Sequence, residues 1–433
     1  MAGEAVHLVV GDDLRRSRLT VFFRALLVIP HALWASFWAF AVVFTGLANW
    51  LVALVRGRPS EGLHGFHAAF VRYLTHASAY LLLGANPFPG FAGDAGTYPV
   101  DLVLPPRERQ SRWVTGFRAL LALPPLVLAT VLVYGGVLTG WYVVFSVAGV
   151  VAVLGWLAAV VLGRMPQGFR DLVLWCICYA AQVTAYVLLL TERYPDSDPD
   201  RVPAAQPVPP HPVTMRVADD LRRSRLTVFF RYLLALPHSV WLQLWTLAAL
   251  LAASANWAVT LVRGTPPPAL HRFLSAYVRY WTHVNAFLCL VGNPFPGFTG
   301  AAGSYPIELE TGPPERQSRW VTGFRLPLVL PVVLVATALS YALALAAFGG
   351  WFFALATGRM PRGLRNVGAY VLRYSAQLYA YAFVLTDRYP YSGPFRLGAP
   401  AEPGPGSLPS GDALALVPQP ELTRERAAVE RDG

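Results

Sequence analysis

Leu19 to Val55 is an almost unbroken apolar run, with Arg15, Arg16 and Arg18 before it and Arg56 and Arg58 after it. As a single helix it would be about 55 Å long, well past the ~30 Å hydrocarbon core of a bilayer. If positive charge stays cytoplasmic, both arginine-bearing ends lie on one side, so the pattern predicts a transmembrane helical hairpin. Val114 to Leu162 is a longer run of the same kind, interrupted by GGVLTG at 135–140, and it fits two spans of about 22 residues. With similar runs after Arg225 and Arg319, the expected total is eight spans. A competing signal comes from Pro30, Pro124, Pro237 and Pro331, which fall at similar places within the runs and would kink or break a helix. On that reading the segment up to Pro30 is interfacial, and each arginine cluster lies on a different side.

Short alternating segments stand before the runs: HLVV at 7–10, YPVDLVL at 98–104, VTMRVA at 213–218 and YPIELE at 305–310. Their period of two and their β-branched content predict short strands in water, joined in one small shared sheet. Beyond each arginine turn the pattern becomes amphipathic and predicts a third helix, for example Gly62 to Leu83. The four third helices align on Tyr80, Tyr186, Phe287 and Tyr381. Eight and four residues earlier stand Arg72 and His76, Cys178 and Gln182, Arg279 and His283, Arg373 and Gln377. Residues four apart share a helix face, so these side chains form a polar stripe. Two accounts of the stripe stand. Either the helix lies in the membrane interface with its arginines reaching out to phosphate, or the four stripes face one another and line a polar cleft.

The pattern repeats. DDLRRSRLTVFFR at 12–24 returns unchanged at 219–231, RQSRWVTGFR at 109–118 returns at 316–325, and GRMP at 163–166 returns at 358–361. The first copy is longer in the stretch around Gly135 to Leu157. Each half divides again, because RRSRLTVFFR and RQSRWVTGFR share R-x-S-R-x-x-x-x-F-R; NPFP at 86–89 and 293–296, ERYP at 192–195 and DRYP at 387–390 close the quarters on proline. The fold predicted is a predominantly α-helical polytopic membrane protein of four quarter-repeats, each with a short β-strand, a transmembrane helical hairpin and an amphipathic helix. Residues 1–195 and 213–390 are the two membrane repeat domains. A Pro/Asp-rich linker at 196–212 and a tail at 391–433 are expected to be flexible and outside the membrane.

Composition agrees with lipid as the solvent: 55% of residues are hydrophobic and 14% charged, too few charges for an ordinary soluble domain. The chain has no lysine, so all 35 basic residues are arginine, and the formal net charge is +11. Nucleic acid is a poor partner for charge placed at the ends of apolar runs. Anionic headgroups of a lipid bilayer fit it, with further membrane proteins or a second copy of the chain alongside. The N-terminus is polar and charged before its first apolar run, and reads as no cleavable signal.

Chemistry is scarce. The motifs of phosphate loops, dinucleotide folds, zinc proteases and serine hydrolases are missing, so no cofactor and no enzymatic activity are expected. Cys176, Cys178 and Cys289 lie in apolar helical stretches and read as small buried hydrophobes. His64, His67 and His76 lack a carboxylate or thiol partner nearby in sequence, so no metal site is expected. Asp12 with Asp13, and Asp219 with Asp220, read as acids complementing a helix N-terminus. Arg24, Arg118, Arg231 and Arg325 fall inside the apolar runs; snorkelling and pairing with a loop acid such as Asp13 or Glu108 are both open.

The combination of R-x-S-R-x-x-x-x-F-R at Arg15 to Arg24, G-R-x-P at Gly163 to Pro166 and L-T-x-R-Y-P at Leu190 to Pro195, with its second-half counterparts, resembles a family of actinobacterial membrane proteins catalogued as a domain of unknown function. The resemblance covers 6–195 and 213–390 as two tandem copies. It implies a multi-pass address in the bacterial cell membrane and no activity. NPFP replaces the R-Y-P ending in the odd quarters, and Thr265 stands where the other quarters carry the arginine of the turn.

Overall fold

A computed structural model describes residues 6–135, 146–201 and 207–394. In the first quarter, strand β1 (His7–Val10) leads into a short helix α1 (Arg18–Phe22), a single turn α2 (Arg24–Leu27), a long helix α3 (Ile29–Arg56) and a third helix α4 (Glu61–Leu81). The second quarter has β2 (Val100–Val103), α5 (Arg112–Ala129), α6 (Val147–Leu162) and α7 (Gln167–Val187). The third has β3 (Thr214–Val217), α8 (Arg225–Phe229), α9 (Arg231–Arg263) and α10 (Pro268–Leu288). The fourth has β4 (Ile307–Glu310), α11 (Arg319–Gly323), α12 (Arg325–Thr357) and α13 (Arg362–Ala382).

The hairpins expected in the long runs are not formed in three quarters. Arg24–Arg56, Arg231–Arg263 and Arg325–Thr357 are each one apolar helical stretch of 33 residues, and with Arg112–Tyr134 of 23 residues they are the four stretches long and apolar enough to cross a membrane. No turn residues interrupt the middle of these runs, so helix propagation continues. Each ends instead on a left-handed glycine, Gly57, Gly264 or Gly358, as does α6 on Gly163. The prolines do not break the runs either. Pro30 lies in the first turn of α3, and α9 and α12 pass through Pro237 and Pro331. In these three quarters the helix is interrupted at Phe23, Phe230 and Phe324, each at φ near −90° and one residue before a buried arginine. Only the second quarter is divided, into α5 with a wider π-type turn at Thr130–Tyr134, and α6; most of GGVLTG lies outside the described residues.

The strands form where alternation places them, as two sheets instead of one. β1 pairs antiparallel with β2 and β3 with β4, with Leu8 opposite Leu102 and Met215 opposite Leu309. Each ribbon joins the two quarters of one half, and Leu8, Val100 and Leu102, or Met215, Ile307 and Leu309, are buried against the third helices. Third helices are thus covered by a ribbon on one side and by long helices on the other.

The quarters of a half also exchange their ends. Gln110 N–H donates to the Gly57 carbonyl at 3.0 Å and Arg16 N–H to Gly163 at 2.9 Å; Gln317 and Arg223 repeat this on Gly264 and Gly358, both at 2.8 Å. Four tryptophans reinforce the exchange. The indole N–H of Trp50 reaches the Thr115 carbonyl at 2.7 Å and that of Trp156 reaches Val21 at 2.9 Å; Trp257 reaches Thr322 at 2.7 Å and Trp351 reaches Val228 at 3.1 Å. The two long segments of a half therefore run antiparallel, each start docked on the other's end.

The halves share one core. Val332, Val335, Leu339, Tyr370 and Tyr374 of the fourth quarter join the buried cluster of the first half. The segments expected to be free at 196–212 and 391–433 begin as packed chain. Asp198 is 4% exposed and accepts from Asn366 of α13 at 2.8 Å, while Tyr391 donates to Asp171 of α7 at 2.7 Å. A buried carboxylate holds each segment down, bonded to an amide in the first and to a tyrosine hydroxyl in the second.

Candidate functional site

The polar stripe does not converge on one cleft. In the first half Arg72 donates to Leu102 O at 3.2 Å and Gly93 O at 3.3 Å, and His76 Nε2 meets Asp101 Oδ1 at 2.9 Å. In the second half Arg279 donates to Leu309 O at 2.9 Å and Gly300 O at 3.1 Å, with Glu308 at 3.4 Å. Gln182 bridges Val6 O at 3.2 Å and Asp196 N at 2.9 Å; Gln377 bridges Val213 O and Tyr391 N, both at 3.1 Å. Arg373 donates to Gly393 O at 2.9 Å over the Tyr370 ring. Every stripe arginine and glutamine thus fastens a ribbon or an outgoing segment onto a third helix, and those of the first half bind apart from those of the second. Gly93 and Gly300 fit this because φ is positive at both, and a Cβ there would run into the Ala69 or Ala276 carbonyl.

Burial lowers the His76 pKa, outweighing the Asp101 hydrogen bond that raises it. Asp101 is itself held below the usual carboxylate range: burial pushes it up, but bonds from Gly96 N–H, His76 and Leu102 N–H outweigh that. His283, stacked on Tyr305, is pushed down to about 4 by burial and next by the charge of Arg279. The His283 imidazole is therefore neutral near pH 7. Among the described residues no group of three or more His, Cys, Asp or Glu could hold a metal ion. Where the second quarter has Cys178 in place of arginine, a cavity of about 400 Å³ opens, bordered by Trp175, Tyr179, Gln182, Arg193 and Asp196.

The arginines inside the apolar runs neither snorkel nor pair with Asp13 or Glu108. Arg24 donates to Tyr80 O at 2.6 Å and Ala85 O at 3.0 Å, its guanidinium 4.4 Å from the Tyr80 ring centroid. Arg118 lies on Tyr186 and binds Tyr186 O and Thr191 O; Arg231 lies on Phe287 and Arg325 on Tyr381, bound to the equivalent carbonyls. Each arginine brings positive charge to the negative end of its own third helix. Beside it Arg16 and Arg223, or Gln110 and Gln317, donate to the carbonyl of a left-handed residue just past the helix: Leu83 at 3.0 Å, Leu290 at 2.8 Å, Leu189 at 2.6 Å and Val384 at 2.9 Å. Asp12 and Asp219 are ion partners of Arg16 and Arg223, at 2.5 and 2.7 Å, and stand outside any helix start. The R-x-S-R-x-x-x-x-F-R spacing carries this clamp, although only its target, the end of a distant helix, makes it intelligible. Asp101 and Glu308 went unnoticed as partners because they sit in strands, facing helices remote in sequence.

What faces outward is apolar. Leu33, Phe37, Phe40, Phe44, Leu47, Leu51 and Val55 form an exposed stripe along α3, and α9 and α12 carry equivalent ones. Exposed aromatic residues stand beside exposed arginines at the ends, such as Trp113 at 80% beside Arg112 and Trp320 at 78% beside Arg319. A surface of this kind in a chain of this composition fits lipid.

No curated protein and no solved structure matches the chain. A family description does, four times over, at residues 18–92, 112–197, 225–299 and 319–394. The unit of the family is thus the quarter, and four copies replace the two expected. With most of its length so matched, the chain belongs to the family described as a domain of unknown function, DUF4389.

Proposed function

We propose that the chain is a non-enzymatic scaffold of the bacterial cell membrane, seated in lipid by its long helices and drawn to anionic headgroups by the exposed arginines at their ends. One observation carries this reading: the polar stripe, the natural place for a substrate, is engaged by the protein's own backbone at Arg72, Gln182, Arg279, Arg373 and Gln377. Further membrane proteins or a second copy are the partners such a scaffold would organise. Purified protein in liposomes should favour phosphatidylglycerol over phosphatidylcholine bilayers and turn over no lipid; lipid turnover would overturn the proposal.

A second reading, a transporter or lipid-handling protein with a polar site between repeats, draws support from the duplicated halves and the cavity beside Cys178. Solute flux in proteoliposomes that disappears on Arg72→Ala or Arg279→Ala would install it in place of the scaffold.

A further inference from the structure

The ribbons restrict how the helices can meet a bilayer. α3 and α4 run back to back, with Arg24 beside Tyr80, His31 beside Tyr73 at 2.9 Å and Asn49 beside Ser60 at 2.9 Å. The ribbon is fastened along the length of the third helix, not at its end. Arg72 and His76 lie within Glu61–Leu81, and Arg279 and His283 within Pro268–Leu288. Were the helices upright in a bilayer, both ribbons would lie at membrane depth. Each is a two-stranded sheet with open edges. On the outer face of the second, Arg216 and Glu310 form a cross-strand ion pair at 2.9 Å with side chains 72% and 51% exposed. Open sheet edges and exposed charge of this kind do not occur against hydrocarbon.

The long helices have the opposite requirement. Between Arg24 and Arg56, and again between Arg231 and Arg263, no charged residue occurs, and exposed apolar side chains run the whole way, from Phe22 to Val55 and from Phe229 to Val262. At 1.5 Å per residue, 33 residues reach about 50 Å, against ~30 Å of hydrocarbon. An upright helix would leave some 20 Å of apolar surface in water. A helix lying along the membrane wets none of it, and exposed arginines at both ends, Arg15, Arg18 and Arg164 at one and Arg56, Arg58 and Arg112 at the other, then meet the same layer of headgroups.

We propose that the long helices lie along one leaflet of an anionic bilayer without crossing it, holding both ribbons on the aqueous side. The orientation rests on the membrane reading above and replaces the multi-pass arrangement. It is tested with single cysteines in a chain whose Cys176, Cys178 and Cys289 are changed to alanine. Arg164→Cys marks one end of the first half's helices, Arg109→Cys the other, and Thr214→Cys the second ribbon; all three positions are exposed. A membrane-impermeant maleimide is applied to sealed right-side-out and inside-out vesicles. Labelling of all three from one face and none from the other is expected. Labelling of Arg164→Cys and Arg109→Cys from opposite faces, or protection of Thr214→Cys on both, overturns it. Failure of the membrane reading itself is distinct: the chain would then remain in the supernatant when the vesicles are pelleted.

Discussion

Replacing Arg24 by methionine tests the clamp that recurs in every quarter. The guanidinium is 2% exposed, binds the Tyr80 and Ala85 carbonyls at 2.6 and 3.0 Å, faces Asn86 Oδ1 at 3.3 Å and stacks 4.4 Å from Tyr80. Methionine fills much of the volume but leaves the buried Ala85 carbonyl unpaired, at about 1–3 kcal/mol, and strips from the Tyr80 carbonyl, which keeps its bond from Leu83 N–H, a charged donor worth about 1.5–3 kcal/mol. Loss of the cation–ring contact adds about 1 kcal/mol. Against this stands relief from desolvating a guanidinium, which offsets part of the loss. The net expectation is a destabilisation of about 3 kcal/mol. At roughly 2–4 °C per kcal/mol for a unit the size of one half, the midpoint of thermal unfolding should fall by about 6–12 °C. Tryptophan fluorescence in detergent micelles reads it, and Arg24→Lys, which keeps charge without the planar stack, should fall between. An unchanged or raised midpoint for Arg24→Met would refute the idea that the clamp stabilises the helix end.

Other expectations follow from the same contacts. His283 has a folded pKa of about 4 against 6.5 for the free side chain, so its contribution to stability is complete above pH 6.5 and is lost as pH falls towards 4; His283→Gln should flatten the melting profile over that window. Gly93→Ala, at φ +68 and facing the Ala69 carbonyl, should destabilise by about 1–3 kcal/mol in the same fluorescence melt, whereas Gly62→Ala, with open space around it, should not. A protease site placed within residues 202–206 should, once cut, leave the halves co-purifying in detergent, because Asn366 with Asp198 and Tyr391 with Asp171 hold them together; separate elution would count against the shared core.

Much of this architecture was legible in the chain, and the reasons for the rest are local. Strands at 7–10, 214–217 and 307–310 follow from alternation, which fixes a face in only four residues. Third helices follow from their apolar period. What apolar length could not decide was whether the runs fold back: thirty-odd hydrophobic residues suit a hairpin or one long helix equally, and the outcome depends on what Arg24, Arg231 and Arg325 bind some 56 to 61 residues away. The stripe was visible as a pattern of Arg72, His76, Arg279 and His283, but its meaning lay with the strand carbonyls Leu102 and Leu309, whose pairing is non-local. Left-handed Leu83, Leu189, Leu290 and Val384 gave no signal at all, since such backbone is rare outside glycine.

The mutual docking of neighbouring quarters has an implication for ancestry and for minimal design. A lone quarter owns half a ribbon, a tryptophan with no carbonyl to receive it and a glycine turn awaiting a foreign amide. Two identical quarters would satisfy each other through an isologous, twofold contact, so a polypeptide with a single copy is expected to be an obligate homodimer. Joined in one polypeptide, the two docked quarters are free to differ, as Arg72 of the first and Cys178 of the second do.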